Sequence, residues 1–258
     1  MSFVTTEVQG AVAIVTIDRP KALNALNPEV LADLKAAFEA IDQNTVRCVV
    51  LTGAGDKSFV AGADIGSMST MTKAEGEAFG KLGNDVFLEI ESFPLPVIAA
   101  VNGFALGGGN ELAMSCDIRI CSANAKFGLP EINIGMIPGW GGTLRLARLI
   151  GESRAKNMLL RGKMITAQQA MDYGLIAEVY DDVDTMRAKA EELAQELAAK
   201  APITMKFDKH LVYDAAGKQP TDIAQRDANT LGFLFTTHDA KEGLTAFLEK
   251  RAPKYEGR

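Results

Sequence analysis

The chain has 258 residues, enough for one large or two small domains. Apolar residues make up 47% of it, so a sizeable core is available, and the net charge of −6 argues against nucleic acid or an anionic membrane surface as the main partner. No apolar run approaches the roughly 20 residues that span a bilayer.

The N-terminal MSFVTTEVQG has neither the basic nor the apolar region of a signal peptide, and the three cysteines (Cys48, Cys116, Cys121) lack metal-ligand spacing. A soluble protein of a reducing, cytoplasmic compartment is expected. Residues 3–8 and 11–18 read as two strands joined at Gln9-Gly10 in a hairpin. Asn27-Pro28-Glu29 predicts a helix start, with Asn as N-cap, Pro at the first helical position and an acid in the first turn. That helix should run to about residue 42. Residues 47–52 (RCVVLT) form a short buried strand, and 53–56 a turn. Residues 59–65 group small side chains around Gly62 at another strand end, and a Met-containing mobile segment, 66–72, follows. Residues 73–91 are helical despite Gly76, Gly80 and Gly83, until Pro94 and Pro96 stop the helix. Residues 97–101 are a buried strand.

The stretch 101–131, VNGFALGGGNELAMSCDIRICSANAKFGLPE, organises the chain. Gly107, Gly108 and Gly109 would each cost about 1 kcal/mol in a helix interior. They fit a strand-to-helix junction where backbone must approach something closely. The N–H groups of the helix that follows are unpaired and lie at the positive end of its dipole, a site for developing negative charge. Glu111 lies less than a turn further on. Beyond it, 118–121 and 125–128 read as short strands, and Pro138-Gly139-Trp140-Gly141-Gly142 as a loop opening a helix over 143–150. A helix over 153–160 follows. Thr166-Ala167-Gln168-Gln169 is a capping box for a helix ending near Gly174. A strand over 175–179 and an amphipathic helix over 183–200 come next. From Pro202 the chain reads as helix only, over 202–215, 221–236 and 239–251. The shift near Ala201 divides a core, 1–200, from a helical region, 201–258. Strands alternating with helices make the class α/β.

The glycine run has the wrong spacing for a dinucleotide fingerprint, and residues 53–58 (GAGDKS) lack the Gly-Lys pair of a phosphate loop. There is no G-x-S-x-G elbow, and the only histidines, His210 and His238, lie in the helical tail. Nucleophilic catalysis is therefore disfavoured. The carboxylates that stand out are Glu111, among Leu112, Ala113 and Met114, and Glu131, after Pro130 at a strand exit. A glutamate is ordinarily a solvated surface residue; two beside glycine-containing strand ends point to acid–base chemistry.

Five segments carry a resemblance: RPKALNAL (19–26), SFVAGADI (58–65), PVIAAVNGFALGGGNELAMSCDIRI (96–120), FGLPEINIGMIPGWGGTLRL (127–146) and TAFLEKR (245–251). Together they resemble the enoyl-CoA hydratase (crotonase) family, most closely its bacterial short-chain hydratases. The resemblance implies a crotonase-type spiral of β-β-α units with a C-terminal helical oligomerisation region, trimers or hexamers built as dimers of trimers, and an acyl-CoA substrate of fatty-acid or related metabolism. It implies that the N–H groups of Ala63 and Gly108 form an oxyanion hole and that Glu111 and Glu131 are the catalytic acids. Having both acids points to hydration, since many relatives keep one or neither. By the same likeness Lys21, Ala22 and Leu23 contact the adenine end of CoA, and Phe247 and Lys250 reach the CoA of a neighbouring subunit. Ala61, Asp64 and Ile65 line the substrate site, with Gly66–Thr72 and Trp140 helping to shape the acyl pocket. Gly139, beside Pro138, positions water. No cofactor and no metal are expected, because coenzyme A is part of the substrate.

Water addition to a conjugated thioester builds enolate charge on the carbonyl oxygen, which two fixed N–H donors would meet. It also needs one ionised carboxyl to deprotonate water and one protonated carboxyl to supply Cα. Burial and mutual repulsion would split the pair. Glu111 is assigned as base and Glu131 as acid, though sequence does not separate the two tasks. Three positions depart from the pattern. Gly66 stands where many hydratases carry Lys, Leu129 where Gln is common, and Asn110 where Cys is common. The expectation is reversible hydration of a short trans-2-enoyl-CoA to the (3S)-3-hydroxyacyl-CoA. The alternatives are a double-bond isomerase, another enolate-forming enzyme of the family and, more remotely, an RNA-binding homologue.

Overall fold

The hairpin forms as expected and becomes the edge of the larger of two sheets. β1 (Val4–Gln9) pairs antiparallel with β2 (Val12–Ile17), around Gly10 in the left-handed region at φ +61°. The structure, a computed structural model, describes residues 2–258. Asn27 caps α1 (Pro28–Glu39) by accepting the Val30 N–H at 2.9 Å.

A repeating unit then sets in. β3 (Cys48–Gly53) joins the large sheet, β4 (Ser58–Val60) a second sheet, and α2 (Ile65–Met68) and α3 (Lys73–Glu91) follow. β5 (Val97–Val101) returns to the first sheet and β6 (Phe104–Leu106) to the second, before α4 (Gly108–Ser115). β7 (Ile118–Ser122) and β8 (Lys126–Gly128) repeat the step and lead into a short 3-10 helix, Glu131–Ile134. After α5 (Gly142–Ile150) and α6 (Glu152–Arg161), β9 (Ile165–Thr166) closes the small sheet against β8. α7 (Ala167–Tyr173) and β10 (Glu178–Tyr180) complete the large one. The sheets run β1-β2-β3-β5-β7-β10 and β4-β6-β8-β9, parallel except at β1–β2 and β8–β9. Each β-β-α unit stacks on the last as one turn of a spiral, in agreement with the expected fold class.

The large sheet is covered on both faces, and its residues alternate between two cores as the period of two requires. Val49, Leu51, Val97 and Ala99 face α1, α3 and α4, whereas Cys48, Val50, Ile98 and Ala100 face Met186, Ala190 and Ala194 of α8 (Val183–Ala198). The three thiols are buried and unbridged, and burial pushes each up to about 12. α9 (Pro202–Ala215), α10 (Pro220–Leu234) and α11 (His238–Glu249) follow as expected. Lys209 of α9 ties them to the core, donating to Asp117 at 2.8 Å and to the Leu95 carbonyl at 3.2 Å. α9 and α10 bury no residue, and Leu231, Phe233, Phe247 and Leu248 are exposed. Among the described residues no helix is long and apolar enough to cross a membrane.

Two expectations change. The strand read over 175–179 shrinks to three residues, because the N–H groups of Leu175 and Ile176 still donate to Ala170 O at the end of α7. Only from Ala177, which donates to Arg119 O, does the chain join the sheet. The segment 66–72, where no regular element was expected, holds the helical turn α2. Asp64 caps it by accepting the Ser67 N–H, and Thr72 starts α3 with a capping box.

Candidate active site

The small sheet delivers its strand ends to one cleft of about 600 Å³. From β4 come Ala61, Gly62 and Ala63; from β6, Leu106, Gly107 and Gly108; from β8, Pro130 and Glu131. The opposite wall is apolar, built by Met68, Met71, Phe79, Ile134, Ile137 and Trp140.

Two backbone N–H groups open onto this space. Leu26 N–H donates to Gly62 O at 2.9 Å, and Asp64 N–H donates to Leu26 O at 2.7 Å. Successive groups of an extended segment point to opposite sides, so the N–H of Ala63 faces away from Leu26, and no acceptor among the described residues takes it. Gly108 is the first residue of α4, where an N–H has no intrahelical partner and the helix dipole is positive. The turn before it requires Gly107, at φ +52° and ψ −127°. A Cβ there would lie 2.8 Å from Glu131 Oε1.

Glu111, on the first turn of α4, is 1% exposed. Its Oε1 accepts the N–H of Trp140 at 2.9 Å and of Gly142 at 2.7 Å. Burial is the main influence on its carboxyl and raises it to about 7. The charge of Glu131 pushes the same way, while the two N–H bonds and Arg145 pull against them. Glu131 stands at the start of the 3-10 helix, half-buried, and burial raises its carboxyl too. Among the described residues, Glu131 Oε2 is buried without a hydrogen-bond partner, as are both polar side-chain atoms of Asn110. The arrangement sets two acids with raised proton affinity opposite two unpaired N–H groups in a largely apolar cleft, a geometry that can move protons beside a developing oxyanion.

Of the other residues singled out from sequence, Ala61, Ile65 and Gly139 line the cleft. Gly139 O also accepts from Asn84 Nδ2 at 2.7 Å. Pro138 is half-buried beside it and does not line the cleft. Asp64 turns aside to pair with Arg19 at 2.7 Å. Lys21 and Ala22 lie on a 3-10 turn, Pro20–Ala22, and Leu23 follows in the left-handed region at φ +51°. This segment borders the cleft without lining it, since Leu23 O accepts the Ala61 N–H at 3.1 Å. Phe247, 83% exposed, and Lys250, at φ +56° on the end of α11, are outside the cleft of their own chain. Sequence reasoning missed the N–H groups of Trp140 and Gly142 on Glu111, and Arg145 behind them. The visible signal was a charged residue on the face that α5 buries with Leu146 and Ile150.

Known proteins with this chain pattern share the architecture. The family described as enoyl-CoA hydratase/isomerase matches residues 7–258. A short-chain-enoyl-CoA hydratase of Clostridium acetobutylicum is 46% identical, over 98% of this chain and 97% of its own. A crotonyl-CoA hydratase of Syntrophomonas wolfei is 43% identical, over 96% of each. The crystal structure of an enoyl-CoA hydratase from Bacillus anthracis superposes with a TM-score of 0.96, at 36% identity and with all of both chains covered. Likeness of this depth over the whole length, on the same spiral, leaves one conclusion: the chain belongs to the enoyl-CoA hydratase/isomerase, or crotonase, family.

Proposed function

We propose that the protein reversibly adds water to a short trans-2-enoyl-CoA and yields the (3S)-3-hydroxyacyl-CoA. The observation that carries this reading is the pairing of a buried and a half-buried carboxyl, both raised by burial, with two free backbone N–H groups in one cleft. The hydratase activities named for the similar proteins support it. The thioester oxygen sits between the N–H groups of Ala63 and Gly108. Glu111 takes a proton from water as the oxygen bonds to Cβ. The π electrons move onto the thioester oxygen, and the two N–H donors hold the enolate. Losing one such donor typically costs about 3–4 kcal/mol of barrier. Glu131 then gives its proton to Cα as the carbonyl re-forms. The pair ends with its proton moved from Glu131 to Glu111, and exchange with solvent resets it.

The environments support this division of labour. Two N–H donors favour the ionised form of Glu111, as a base requires, against the burial that raises its carboxyl to about 7; Glu131 has an unpartnered oxygen, and burial raises its carboxyl as well. No cofactor enters the reaction, since coenzyme A arrives with the substrate. The exposed apolar residues of α9 to α11 suit burial against further copies of the chain, so residues 201–258 are read as the assembly region of a homotrimer or of a hexamer of two trimers. Lys21, Ala22 and Leu23 beside the cleft, and Phe247 and Lys250 from a neighbour, then complete the CoA site. Three buried, unpaired thiols suit the cytoplasm.

The test is the loss of ultraviolet absorbance when crotonyl-CoA is hydrated. Rapid loss, with one solvent deuteron fixed at Cα per water added, is the expected result. Exchange at Cα without water addition would move the protein to the isomerases.

A further inference from the structure

Glu111 is held by a loop, and the loop is held by a largely buried ion pair that the chemistry above leaves unused. Glu91, in the last turn of α3, and Arg145, in the first turn of α5, lie 54 positions apart and meet as a two-pronged fork. Arg145 Nε donates to Glu91 Oε1 at 3.1 Å, and Nη2 to Oε2 at 2.7 Å. The third donor, Nη1, reaches the Trp140 carbonyl at 2.7 Å. Trp140 is thereby gripped from both ends, by Arg145 at its carbonyl and by Glu111 at its N–H. Gly141, between the two residues that donate to Glu111, adopts φ +87°, and a Cβ there would collide with the guanidinium. The side chains are 8% and 18% exposed. A staple between two helices needs neither this burial nor the third bond to the loop.

We propose that Arg145, oriented by Glu91, is a positioning residue for Glu111. It fixes the loop 140–142 so that both N–H groups converge on Oε1 and leave Oε2 as the free proton acceptor. The inference rests on the reading of Glu111 as the base. Two charged groups act on that carboxyl directly: Arg145 from α5, which lowers its proton affinity, and Glu131 from the 3-10 helix, which raises it. α3 brings Glu91, already engaged by Arg145, and the packed strands β4 and β6 carry no titratable side chain. Loss of Arg145 removes a nearby positive charge and slackens two N–H bonds, and both changes push Glu111 upward.

The experiment uses the full chain with Arg145→Met, Arg145→Lys and Glu91→Gln, and Glu111→Gln as reference. It reads the kinetics and pH profile of crotonyl-CoA hydration. It also follows the Glu111 carboxyl by carbon-13 resonance in protein labelled at glutamate Cδ, the signal being assigned by its loss in Glu111→Gln. Arg145→Met should lower kcat about a hundredfold, the scale of a misplacement of about an ångström, with KM near that of the wild type. The acid limb and the Glu111 titration should both move to higher pH. Arg145→Lys should restore part of the titration shift without restoring kcat, since a lysine keeps the charge and loses the fork. Glu91→Gln should act in the same direction more weakly. If folded Arg145→Met loses thermal stability alone and Glu111 titrates as in the wild type, the ion pair is a brace and the proposal is overturned. Should Arg145→Met fail to fold, Glu91→Gln decides by the same criterion. A wild type that does not hydrate crotonyl-CoA, with the Glu111 titration still moving in the variants, would remove the proposed function and leave the positioning intact.

Discussion

Glu111 sits on a helix with one oxygen held by two backbone N–H groups, whereas Glu131 sits on a 3-10 turn with one oxygen buried and unpartnered. Both lie in the same cleft, and burial raises the proton affinity of both. The difference lies in what stabilises the anion. Backbone donors converge on the first carboxyl, and the second has only its own turn nearby. Two identical side chains thus meet opposite local influences on top of a shared burial: N–H donors that favour the anion at Glu111, and none at the outer oxygen of Glu131. The strand ends that hold them come from one small sheet, so the contrast is built by the two loops, one closing on Glu111 and the other leaving Glu131 bare.

Removing either carboxyl breaks this contrast most sharply. Glu111→Gln and Glu131→Gln should each lower kcat by about a thousandfold, within the range typical of general acid–base groups. The pH profile assigns the roles. A base must be ionised, so wild-type activity should fall as pH drops through the Glu111 value near 7. An acid must be protonated, so activity should also fall as pH rises through the raised value of Glu131. The residual activity of Glu111→Gln should lack the acid limb, and that of Glu131→Gln the alkaline one. The opposite pattern would exchange base and acid.

A smaller effect is expected from Gly107→Ala, which leaves both acids in place. The new methyl meets Glu131 Oε1, and alanine must hold φ +52° and ψ −127°, a sparsely populated conformation that costs a non-glycine residue about 1–3 kcal/mol. Activity should drop about tenfold or more by the displacement argument, while Glu111 titrates as before. Movement of the Glu111 titration in this variant would show that the two sides of the cleft are not independent.

The mildest test concerns stability. Burial raises the folded-state pKa of Glu111 from 4.5 to about 7, so its contribution to stability is fully present below the unfolded value and is lost as pH rises through 7. Glutamine keeps an oxygen for the two N–H donors and carries no charge. Glu111→Gln should therefore melt a few degrees above the wild type near pH 8 and together with it near pH 4.5. Equal Tm values at both pH values would mean that the buried charge is better compensated than its surroundings suggest.

Much of this architecture was legible in the sequence where the signal was local. The start of α1 follows from Asn27-Pro28, the capping box of α7 from Thr166 and Gln169, and the end of α3 from Pro94 and Pro96. β6 and β9 were not read, because strands of three and two residues carry no periodicity. The glycine run and the Pro130-Glu131 pair marked two acids whose surroundings the structure now gives. What holds Glu111 was not legible. The Glu91–Arg145 fork joins residues from different helices, and the N–H donors of Trp140 and Gly142 leave no mark on side-chain chemistry. Asp64, taken from sequence as a substrate contact, faces Arg19, a partner 45 positions away that no local pattern announces.

The three buried thiols have a practical consequence. Alkylating reagents attack thiolates and need access, and in the closed fold Cys48, Cys116 and Cys121 offer neither. Each labelling event therefore counts an opening of the protein. Cys48 lies between the large sheet and α8, whereas Cys116 and Cys121 belong to the core on the other face. The rates of modification at the three positions are separate clocks for the two layers, and their ratio reports which face of the sheet parts first.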